Sequence, residues 1–203
     1  MAKHKSFDSI LHTSFRWPAA GDKPFVAGEG PSDNAIIALD GFTRLVLMME
    51  GYKKAADLMV VEAERDRASR DFLVFPILFN YRQYIELSLK YMIATYGPTV
   101  GIEPNWRTHD LATLWSEFLD LLDRFGTPDP DEVDPVVGEV VIEFAKIDPG
   151  SYSYRYPVDR NGDAVPVAYT DLHLANLADV MKGVAGYFTG SDGYLDSLKG
   201  ASS

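Results

Sequence analysis

The segment DFLVFPILFNYRQYIELSLKYMIATYG, residues 71–97, constrains the fold more than any other stretch of the chain. It is apolar on nearly every side, and a helix of that composition has to be surrounded by other elements, at the centre of a bundle. Gly97 and Pro98 stop it. Pro76 fits only in a first turn or at a kink, so the regular helix is expected over residues 76–96. Arg82, Glu86 and Lys90 follow one another at intervals of four and form its one polar stripe. Two readings of that stripe stand side by side. It is either a salt-bridge ladder on a solvated face, or the lining of a groove in which Arg82 or Lys90 meets an anionic ligand.

The neighbouring segments supply partners for such a helix. From Ser32 or Asp33, each a good N-cap, apolar residues recur at Ile36, Leu39, Phe42, Val46, Met49, Ala56 and Met59, predicting a helix to about Arg65 with Gly41 and Gly51 as weak or close-packing points. HDLATLWSEFLDLLDRFG places Leu111, Leu114, Trp115, Phe118, Leu121, Leu122 and Phe125 on one stripe and ends at Gly126 and Pro128. DEVDPVVGEVVIEFAK has acids first and Lys146 last, as a helix dipole favours. Its valines also suit a strand, but its length and the spacing of Val133, Val136, Val137, Val140 and Phe144 favour helix. A last helix starts near Asp171 and should bury Leu172, Leu177, Val180, Met181, Val184 and Phe188.

Between residues 147 and 170 the period changes. Tyr152, Tyr154 and Tyr156 alternate with Ser153 and Arg155, and Asn161-Gly162 signals a tight turn before Val165 and Val167. The expected fold is therefore all-α, a bundle of about five helices with a small hairpin or extended loop near residues 150–169. An irregular arm over 1–32, whose Phe7, Phe15, Trp17 and Phe25 should pack onto the body, precedes a bundle domain over 33–190 and a Gly/Ser-rich tail over 191–203.

Composition removes several function classes. The 19 basic residues against 30 acidic ones leave a net charge of -11, which opposes broad DNA binding while leaving room for a local basic cleft. Without cysteine there are no disulfides, thiolate nucleophiles or cysteine-ligated metals, in keeping with a reducing cytoplasm. Charged residues interrupt every long apolar stretch, so the chain is expected to be cytoplasmic, with no membrane span. The four histidines form no HExxH or closely spaced pair, and no metal or cofactor is expected. Nucleophile-elbow, Walker and dinucleotide-binding motifs are missing as well.

The residues left for chemistry are few. His109, between Thr108 and Asp110, is either a local hydrogen-bonding residue at the start of the third helix or a base. In SYSYRYPVDRNG, Tyr154, Arg155 and Tyr156 either stack a base and contact phosphate, or cover the core while Arg155 caps a carboxylate such as Asp148.

RQYIELSLKYMI at 82–93, HDLATLW at 109–115, YRYPVD at 154–159 and LHLANLADVM at 172–181, in that order, resemble a group of bacterial helical proteins related to the HEPN superfamily. The resemblance covers roughly residues 70–190. It implies a small helical bundle that dimerises and belongs to a toxin–antitoxin or antiviral system, as a ribonuclease or a non-cleaving relative. Ribonucleolytic members carry an arginine followed four to six residues later by histidine, and no arginine here has that partner. Arg107 and His109 are too close, and His173 is too far from Arg155 and Arg160. Two functions remain: a non-catalytic or weakly catalytic module that binds a nucleotide, RNA or protein partner as a homodimer, or a divergent ribonuclease using Arg82, Glu86, His109 and Arg155.

Overall fold

The computed structural model describes residues 16–127, 132–149, 151, 153–159 and 161–201. The chain divides into a short N-terminal unit through Ile37 and a main unit from Ala38 onward. In the first unit, polar side chains close local turns in place of a helix. The Gly30 N–H donates to Asp33 Oδ2 at 3.0 Å and the Gly28 N–H to Asn34 Oδ1 at 2.7 Å, around a 3-10 turn at Pro31–Asp33. Trp17 and Phe25 are 79% and 96% exposed. Phe7 and Phe15 lie outside the described residues.

The main unit is a bundle of helices, with no strand longer than a single bridge among the described residues. Helix α1 spans Gly41–Arg65, α2 Arg70–Tyr96, α3 Leu111–Phe125, α4 Val133–Ile147 and α5 Leu174–Ala201. Among the described residues no helix is long and apolar enough to cross a membrane.

Helix α1 begins later than the apolar spacing predicts. Asp40 caps it by accepting the Thr43 N–H at 2.7 Å, and Arg44 turns back to the carbonyls of Ala38 and Leu39. Ile36 and Leu39 are thereby left outside the helix and exposed. Leu45, Ala56, Val60 and Ala63 are the buried residues of the helix.

Helix α2 is the central one, and it starts six residues earlier than expected because Pro76 is accommodated inside it. Ile77, Tyr81, Ile85, Leu89 and Ile93 are at most 1% exposed. Helix α3 packs on it with the expected stripe, capped by Asp110 and ended by Gly126 at φ 72°. Only Phe125 at the end of that stripe is partly buried.

Helix α4 is helical as expected but faces the core differently. Val137, Gly138, Val141, Phe144 and Ile147 are buried, whereas Val133 and Val136 are 45% and 60% exposed. Gly138 explains the rotation: a Cβ there would stand 2.8 Å from Trp115 Nε1, so α4 presses its glycine onto the indole of α3.

Helix α5 starts at Leu174 rather than Asp171, leaving Leu172 partly exposed. It also runs through the Gly/Ser-rich segment that composition marks as a tail. Leu195 is fully buried, and the Tyr96 hydroxyl donates to Asp192 Oδ1 at 2.7 Å, which holds this stretch against the end of α2. Two further tyrosine–aspartate bonds join helix pairs, Tyr81 to Asp57 at 2.9 Å and Tyr187 to Asp134 at 2.6 Å. The expected hairpin is present in minimal form, as one antiparallel bridge between Val158 and Ala164 closed by a turn with Gly162 at φ 87°.

Candidate functional site

The polar stripe of α2 is buried. Arg82 is 0% exposed, Glu86 2% and Lys90 6%, so the stripe is neither a solvated ladder nor the wall of an open groove. Two chain segments roof it. Arg82 Nη2 donates to the His109 carbonyl at 2.7 Å, Arg82 Nε to the Asp148 carbonyl at 2.9 Å and Arg82 Nη1 to Glu86 Oε2 at 2.9 Å. The fork geometry of a guanidinium suits this task, since its donors point in fixed directions and each of its three nitrogens meets an acceptor. Lys90 Nζ sits 2.8 Å from Glu86 Oε1 and 3.5 Å from the Trp106 carbonyl.

Glu86 is the hub. Burial pushes its carboxyl up, but hydrogen bonds from Lys90, His109 and Arg82 outweigh burial and hold it below its ordinary value. The carboxylate is therefore ionised and can only accept. His109 Nδ1 lies 2.8 Å from Glu86 Oε1, so that nitrogen carries the proton, and Nε2 is the ring nitrogen Glu86 does not engage. The His109 side chain is 59% exposed. A buried, clamped carboxylate thus orients an accessible imidazole.

The segment after α4 departs from expectation in one respect. Arg155 does not cap Asp148. The Asp148 Oδ1 accepts the Ser153 N–H at 2.8 Å and its Oδ2 lies 3.5 Å from Arg82 Nε, while Arg155 Nε donates to the Ser151 carbonyl. Ser151 takes a left-handed conformation at φ 56°, and Gln83 of α2 bonds its hydroxyl at 2.7 Å. The exposed guanidinium of Arg155 then lies 5.7 Å from the Phe79 ring and 5.8 Å from the Tyr156 ring. Tyr154 turns elsewhere, into an open groove of about 870 Å³ between the start of α2 and the segment leading into α5. Tyr152 lies outside the described residues.

The structure therefore brings Arg82, Glu86, Lys90 and His109 into one network, sets Arg155 beside the Phe79 and Tyr156 rings, and places Tyr154 in the groove. Sequence reasoning missed Asp148 as the partner of Arg82. Its one signal is its position before Pro149-Gly150, where the chain must turn back across α2. Among the described residues no group of His, Asp and Glu has the arrangement of a metal site. The chain matches no family model, no curated protein and no solved structure.

Proposed function

We propose that this protein is a non-cleaving bundle of the HEPN-like kind that binds a nucleotide or an RNA end at the Arg155–Tyr156 surface. One observation carries the reading: an exposed guanidinium lies against two aromatic rings, Phe79 and Tyr156, within 5.8 Å of each. Such a platform offers positive charge to a phosphate and a flat face to a base. The net charge of -11 favours a ligand with few phosphates over a long polyanion.

The reading is non-cleaving because of where the other cations go. In-line ribose chemistry needs a base near the 2′-hydroxyl and a cation at the phosphate. Arg82 and Lys90 are spent on Glu86 and on main-chain carbonyls, which leaves His109 without a cation from the network. A role in defence or in a toxin–antitoxin pair rests on the HEPN-like resemblance. So does a homodimer, for which α1 exposes the apolar side chains of Leu47, Leu58 and Val61.

Titration of the full chain with 5′-AMP and a short oligoribonucleotide, followed by NMR shifts, tests the binding reading. Arg155→Ala should weaken binding by about tenfold, the order expected for one lost stacking contact. Unchanged affinity in that variant would remove the platform from the proposal. A divergent ribonuclease is the second reading, favoured by the Glu86–His109 pair alone. It requires RNA cleavage that survives rigorous purification and vanishes in His109→Ala.

A further inference from the structure

The groove of about 870 Å³ beside the start of α2 is large enough for a small ligand and lies apart from the buried network. Three aromatic rings, those of Phe75, Tyr154 and Tyr169, line it. Burial raises the Tyr154 phenol, and a hydrogen bond to Glu143 raises that of Tyr169, so both rings are neutral and electron-rich at physiological pH. Two carboxylates, Asp71 and Asp171, share the lining. Among the described residues neither has a cationic partner, and Asp171 accepts only the Thr170 hydroxyl.

The lining also contains His173 and Arg70, and the Arg70 guanidinium is engaged by acceptors that are not part of the lining. Its Nε donates to the Ala63 carbonyl and its Nη2 to Glu64, each at 3.0 Å. The balance inside the groove is therefore negative, on a chain whose net charge is already -11. Electron-rich ring faces combined with uncompensated carboxylates select for a cation with an apolar surface, since such a group is cheap to desolvate and is attracted to the rings.

We propose that this groove binds a small, free organic cation, an alkylammonium or quaternary ammonium compound held among Phe75, Tyr154 and Tyr169 with Asp71 and Asp171 as counter-charges. This site goes beyond the nucleotide surface at Arg155 and takes a ligand of opposite sign. The size of the groove suits a free small molecule, and a methylated lysine on a protein is the competing source of the same chemistry.

NMR titration of the full chain with choline, with its neutral isostere 3,3-dimethylbutan-1-ol, with inorganic phosphate and with a trimethyllysine peptide separates the possibilities. Choline should saturate, shift resonances around Tyr154 and Tyr169, and bind about tenfold tighter than the isostere. Asp71→Asn with Asp171→Asn should weaken choline by about tenfold while leaving the thermal midpoint unchanged, because both side chains are exposed. Tyr169→Leu, which keeps apolar bulk, should erase the preference for choline over the isostere. Equal binding of the isostere, tighter binding of phosphate or of the peptide, or no saturation by about 50 mM choline overturns the proposal.

Discussion

Arg82 and Asp148 stand 66 residues apart in sequence and meet inside the protein, where the Arg82 Nε–H donates to the main-chain carbonyl of Asp148 at 2.9 Å. This bond ties the middle of α2 to the turn after α4, and the same guanidinium holds the segment before α3 through His109. A single side chain therefore sets the positions of two loops.

Removing Glu86 should be costly. Glu86→Ala strands Arg82 and Lys90, which are 0% and 6% exposed, and a loss of about 3 to 5 kcal/mol is expected for breaking a buried network. Denaturant unfolding measures it directly. Arg82→Met, which keeps volume, should cost as much, and the double variant should lose far less than the sum, because each change removes the other's partner. Additive losses would mean that the two side chains do not act together.

Acid should weaken the fold through the same carboxylate. A group whose folded value is depressed adds stability above its unfolded value, about 4.3 for glutamate, and that stability is lost as pH falls through the folded value. Glu86 has such a depressed value, so the free energy of unfolding should fall as the solution is acidified below about pH 4.3. Glu86→Gln should be less stable at neutral pH and fall less steeply in acid. Parallel acid profiles would place the acid sensitivity in other carboxylates.

The contact between α4 and α3 leaves no room for a methyl group. Gly138→Ala brings a Cβ to 2.8 Å from Trp115 Nε1 and 3.2 Å from Cε2, so a loss of about 1 to 3 kcal/mol is expected from overpacking. Trp115→Phe in the same chain should recover part of that loss. Thermal unfolding of the two single variants and the pair decides the matter, and a silent Gly138→Ala would show that the helices can part without penalty.

The homodimer proposed above is open to light scattering. Leu47, Leu58 and Val61 are 54%, 57% and 67% exposed. The protein should run as a dimer at high micromolar concentration, and Leu58→Lys should turn it into a monomer by placing a charge in the apolar contact. A monomeric parent protein would remove the dimer while leaving the fold untouched.

Much of the bundle is legible in the chain, and the failures have physical causes. The stripe from Leu111 to Leu122 is buried as its spacing predicts, because α3 is bounded by a strong cap at Asp110 and a glycine stop. The start of α1 misleads because Ile36 and Leu39 fall at helical spacing by accident, whereas the cap at Asp40 decides where the helix begins. The interval of four among Arg82, Glu86 and Lys90 is plain, but their burial depends on carbonyls of residues 106, 109 and 148, and main-chain acceptors carry no signature in sequence. The groove escapes notice for a related reason. Its aromatic and acidic residues come from three distant stretches, near 71–75, at 154 and at 169–171, and no motif joins them.

The bond from Arg82 to Asp148 also bears on how the protein is made. On a ribosome, α2 emerges well before the turn that carries the Asp148 carbonyl, so the guanidinium at its centre waits for its last acceptor while α3 and α4 are still being synthesised. Until then that charge must stay hydrated, and α2 cannot be fully enclosed. The polar centre of α2 is thus left without its last acceptor until residue 148 has been made, and a nascent chain released before that point would carry its most apolar helix open to water.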